Sequence, residues 1–108
     1  MTSAPIHSIT LRILAHLRER LGAGWDRLEQ ADRELITACA ADAAALHVRA
    51  LATPQTPDAQ LRLLKEKAQI QAQLANLTAA GAARIAHHFW DAVRNTVNGA
   101  VAVAFAAI

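Results

Sequence analysis

The chain closes on Gly99-Ala-Val-Ala-Val-Ala-Phe-Ala-Ala-Ile108, and this segment constrains everything before it. No charged side chain follows Arg94, and beyond Asn98 only backbone groups are polar. At roughly 25 cal/mol per Å² of apolar area, burying its Val, Phe and Ile side chains is worth several kcal/mol. The segment is therefore expected to meet a core, a partner or a lipid surface.

The rest of the chain reads as helical. Of its 108 residues 54% are hydrophobic, many of them alanine, while only 4% are aromatic, with 4 Gly and 3 Pro as breakers. Alanine has the best helix propensity, and 108 residues suffice for one domain with a modest core. The expectation is an all-α protein of three main helices, at about 4–21, 26–52 and 57–98, followed by the apolar tail 99–108.

Helix spacing and stop signals support these bounds. Pro5 is tolerated in a first turn, and Ile6, Ile9, Ile13, Leu17 and Leu21 form one stripe, which Leu11 and Leu14 widen. Gly22-Ala-Gly24 then ends the helix, since glycine takes a left-handed cap without strain. Asp26 with Glu29 three residues on reads as a capping box, with Trp25 just outside it. Leu28, Leu35, Cys39, Ala43, Leu46 and Ala50 mark the buried stripe, and Glu29 and Arg33 make a favourable i,i+4 pair. The small residues from Ala38 to Ala45 allow a neighbouring helix to approach closely. Pro54 stops the second helix. Thr56 as N-cap, Pro57 at the first position and Asp58 in the first turn start the third.

That third helix carries a stripe of Leu63 or Leu64, Ile70, Leu74, Leu77, Ile85, Phe89, Val93, Val97, Val101, Phe105 and Ile108. From Ile85 to Phe105 the step is four residues, which overshoots a turn by about 40° each time. A single straight neighbour cannot cover such a winding stripe. Either the helix breaks, at Gly81 or at Asn98-Gly99, or its portions face different partners. Unbroken from 58 to 98 it would run about 60 Å, longer than the second helix can support.

Composition and motifs exclude several function classes. The net charge is +2, with a sequence pI of about 9.3, too little to argue for nucleic acid. The acidic residues Asp26, Glu29, Asp32, Glu34 and Asp42 sit in the middle of the chain, between two basic parts, which suits self-complementary packing. Cys39 is the single cysteine and lies among alanines, as a small buried hydrophobe would. No nucleotide-binding, hydrolase, zinc-protease or Cys-x-x-Cys motif occurs, so no enzyme and no cofactor are expected. His87, His88 and Asp91 lie at helical spacing on shared faces, but a metal site wants three or four ligands, and a solvated helix face is the expected reading.

Partners remain. The charge-free tail is shorter than the roughly 20 apolar residues that span a bilayer, though Trp90 and Arg94 could sit at headgroup level. The helix–proline turn–helix plan, over about Ala52 to Leu64, is loosely similar in layout to subunits of helical secretion needles and rods, without a shared motif. The expectation is a non-catalytic subunit of a homo-oligomer or larger assembly, such as a small phage-particle, tube or ring component. Its interface residues are Ile85, Phe89, Trp90, Val93, Val97, Val101, Phe105 and Ile108. A helical adaptor binding one partner helix and a membrane-surface protein are the alternatives. Met1-Thr-Ser-Ala-Pro-Ile6 lacks the basic-then-apolar pattern of a secretory signal, so a cytoplasmic or in-particle location is expected.

Overall fold

The first helix, α1, runs Ser3–Leu21, and Gly22 terminates it at φ 55°, its N–H donating to the Arg18 carbonyl at 2.8 Å. The computed structural model describes residues 3–52, 54, 56–77 and 81–96. Four more helices follow: α2 (Ala23–Asp26), α3 (Gln30–Ala52), α4 (Pro57–Leu74) and α5 (Ala82–Thr96). The fold is all-α.

α1 occupies the centre. It packs against α3 on one flank and α5 on another, while α4 lies on α3 and touches α5 lightly. Ile13, Leu14 and Leu17 are buried and Ile6, Ile9 and Leu21 half-buried, as the spacing requires. Leu11 departs from expectation. It is 53% exposed, because α3 and α5 leave that side of α1 open among the described residues.

The start of α3 differs from the expected capping box. Asp26 belongs to the one-turn helix α2, and α3 begins at Gln30 with Glu29 supplying the carbonyl to Arg33 N–H at 3.1 Å. Arg33 does not pair with Glu29. Its guanidinium instead donates to the Leu28 carbonyl from Nε (3.1 Å) and Nη2 (2.9 Å) and reaches the Asp26 carbonyl at 3.4 Å. These carbonyls have no helical partner at the end of so short a helix, and a cation satisfies them better than an exposed carboxylate pair would reward it. Trp25 is buried here, with the Arg18 guanidinium 5.0 Å from its ring centroid.

α3 is covered on two sides, which shifts the expected stripe. Leu28, Cys39, Ala43, Leu46 and Ala50 are buried as expected, but Leu35 is only half-buried while Ile36 is fully enclosed. Ala40, Ala43 and Ala44 show no exposed surface. The start of α4 matches its local signals: Thr56 is the N-cap, its Oγ1 accepting from Ala59 N–H at 3.2 Å, and Pro57 opens the helix.

The expected long third helix is two helices. α4 ends at Leu74, and Gly81, at φ 78°, precedes α5 and accepts at its carbonyl from Arg84 N–H (2.9 Å) and Ile85 N–H (3.0 Å). The break resets the winding stripe, so that Leu63, Ile70 and Leu74 of α4 and Ile85, Phe89, Ala92 and Val93 of α5 all reach the core. The second possible break, at Asn98-Gly99, lies outside the described residues.

Cys39 is a free thiol buried in this core. Its thiol donates to Gln73 Oε1 at 3.5 Å, and burial, then the Asp42 charge, pushes its pKa up to about 11 from 9.0. The raised value favours the protonated native thiol. Stability from this group is therefore full below about pH 9 and is lost as pH rises toward 11. Alkylation by iodoacetamide at pH 8 is expected to be roughly hundredfold slower in the native protein than in urea. Equal rates, followed by mass spectrometry, would show that the thiol is not enclosed.

Candidate functional site

The expected interface residues divide into three groups. Ile85, Phe89 and Val93 are 6%, 0% and 0% exposed, and they lie in the chain's own core. Their side chains are therefore covered within this chain and offer no surface to a partner in this conformation. The physical reason is the break at Gly81, which lets α5 fold back and lay its apolar face on α1. Val97, Val101, Phe105 and Ile108 lie outside the described residues.

Trp90 is the third case. It is half-buried, stands edge-on to Phe89 with centroids 5.1 Å apart, and carries the Lys67 ammonium 5.2 Å from its ring centroid. Burial, then the neighbouring Arg94 charge, lowers the Lys67 pKa. This contact is the recognisable link between α4 and α5, whose shared surface is otherwise small.

The polar face of α5 is organised around Asp91. Arg94 donates to Asp91 Oδ1, and His87 Nε2 lies 3.4 Å from Oδ2. The Arg94 hydrogen bond, above all, lowers the Asp91 pKa; desolvation opposes it and the charges of His87, Arg94 and Arg20 assist. His88 does not join them. Its Nε2 accepts from Arg84 Nε at 3.4 Å, and its Nδ1 is shielded from solvent without a partner among the described residues. No three His, Cys, Asp or Glu side chains come together as metal ligands among the described residues. Among them, too, no helix is long and apolar enough to cross a membrane.

Two exposed features lie outside the expected interface residues, and of the alternatives Leu63 and Leu64 it is Leu63 that joins the core. Leu61 and Leu64, on one side of α4, are 50% and 44% exposed. A cleft of about 830 Å³ also opens where the end of α1, α2, the start of α3 and the start of α5 meet, and Arg20, Arg27, Arg84 and His88 line it. Its residues come from distant parts of the chain, so no local spacing could have announced it. Comparison with known proteins finds no matching family model, no matching curated protein and no matching solved structure.

Proposed function

We propose that the protein is a non-catalytic structural or interaction subunit that associates through its apolar C-terminal segment, as a component of an oligomer, tube, ring or phage particle would. The observation that carries this reading is the consumption of α5's apolar face by α1. Ile85, Phe89, Ala92 and Val93 are already buried at that contact, and the chain continues into residues with no charge at all. The sequence beyond Asn98 is apolar and uncharged, and leaving its Val, Phe and Ile side chains in water would be costly, which favours a surface supplied from elsewhere.

The solution mass across a concentration series tests the proposal. Full-length protein is expected to form a defined oligomer, and a version truncated after Asn98 a folded monomer with unchanged helical circular dichroism. Two folded monomers of equal behaviour would remove the tail from any role in self-association. A second reading, an adaptor that binds a partner helix, draws on the outward-facing Leu61 and Leu64 pair. It is distinguished by a monomer whose tail truncation changes nothing while Leu61→Asp abolishes partner binding.

A further inference from the structure

We infer that the outward face of α4 pairs antiparallel with the same face of a second copy of this chain, a contact separate from the C-terminal segment. α4 carries two apolar stripes. Leu63, Ile70 and Leu74 form the inner one and are buried. The outer one consists of Leu61, Leu64, Ala68, Ala72 and the C-cap Ala75, all exposed, with Leu61 at 50% and Leu64 at 44%. Their spacing of three and four residues confines them to an arc about 80° wide, centred about 140° round from the inner stripe. The neighbours of α4 lie on its other side. Arg49 of α3 pairs with Glu66, Ala59 and Leu63 line a groove against α3, and the Lys67 ammonium lies on the Trp90 ring of α5. Ala59, Leu63, Glu66 and Lys67 all stand on the inner half of the helix.

Shape and charge both point to a second copy as the occupant. The stripe is symmetric in spacing about Ala68 but not in size: both leucines lie on its N-terminal side and alanines fill the rest. A two-fold axis at Ala68 therefore sets Leu61 against Ala75 and Leu64 against Ala72 of the second copy, large on small along the whole seam. A parallel pair would crowd the leucines at one end and leave the alanines apart at the other. The charges Asp58, Arg62, Lys65, Glu66 and Lys67 also lie on the N-terminal side, and no charged side chain occurs between Lys67 and Arg84. The antiparallel pair thus avoids the Lys65–Lys65 repulsion that a parallel pair would create. The last turn of α4 has no basic residue of its own. The two-fold brings Lys65 of the second copy level with Gln71 in that turn, where the helix dipole favours a cation. The seam is about 21 Å long, a small interface, so the contact is weak, with a dissociation constant of about 0.1–1 mM. A dilute chain lacking the C-terminal segment accordingly stays monomeric.

Disulfide trapping in the full-length protein tests this, under a mild oxidant and with the unaltered chain, whose Cys39 is buried, as the blank. Ala68→Cys is expected to form a linked dimer at least about tenfold faster than Arg62→Cys, an exposed position off the stripe. The double variant Leu61→Cys/Ala75→Cys should link as readily, whereas Leu61→Cys alone should link at least about tenfold more slowly. Adding Leu64→Glu to Ala68→Cys should slow linking at least about tenfold. Far-UV circular dichroism verifies that each variant is folded. Equal rates for Ala68→Cys and Arg62→Cys overturn the inference, since they mark random collision. Fast linking of Leu61→Cys alone overturns it by showing a parallel pair. An Ala68→Cys/Ala104→Cys variant that links within one chain instead of between chains also overturns it, because the C-terminal segment then covers the stripe. The linking pattern reads α4 alone, so its failure and that of the C-terminal association measured by solution mass are separate results.

Discussion

Phe89→Ala is expected to lower the unfolding free energy by about 3–5 kcal/mol. Phe89 is fully enclosed on the face of α5 that α1 covers, and Trp90 stacks edge-on against it. Truncation removes the transfer free energy of the ring and leaves a cavity that rigid neighbours fill only in part. A domain of this size has a total stability of about 5–15 kcal/mol, so the variant keeps a narrow margin. At about 4–8 °C per kcal/mol, its thermal midpoint should fall by well over 10 °C. Thermal melts of the two proteins at equal concentration check this. A loss below about 1 kcal/mol would mean that α5 is not seated on α1 as described.

Ala43→Leu is expected to destabilise by about 1–3 kcal/mol, although leucine is itself a good helix former. Ala43 has no exposed surface and stands with Ala40 and Ala44 on a helix covered from two sides. Three added carbons must push a helix outward or take a strained rotamer. Ala38→Leu supplies the comparison, since Ala38 is exposed on the same helix and should change stability by less than about 0.5 kcal/mol. Urea titrations resolve the difference as a shift in midpoint. A neutral Ala43→Leu would show that the small side chains do not serve close helix approach.

The parts of the fold legible in the sequence are those fixed by neighbouring residues. Thr56, Pro57 and Asp58 announce the start of α4 because capping, a fixed φ and a favourable dipole charge all act within one turn. Gly22 and Gly81 mark turns because both take positive φ. What depends on distant elements was not legible. Leu35 and Ile36 differ by one residue of phase, and only the placement of α1 and α4 decides that Ile36 goes inside. Asp26 and Glu29 carried a good capping pattern, but Trp25 folded into a turn of its own and Arg33 took over its exposed carbonyls. For the candidate site the same division holds. The four-residue apolar spacing of Ile85, Phe89 and Val93 was visible, yet whether it faced inward or toward a partner depended on the break before it. The cationic cleft could not be read at all, since it needs α1 and α5 side by side.

The central position of α1 has a consequence in time. Eight residues separate α1 from α3, and sixty separate it from α5. Joining the distant pair costs about 2 kcal/mol more in loop-closure entropy than joining the near one. As the chain leaves the ribosome, N-terminal end first, α1 and α3 can associate early. One flank of α1 then waits uncovered until the last described helix has been made, and the nascent chain carries an exposed apolar strip through most of its own synthesis.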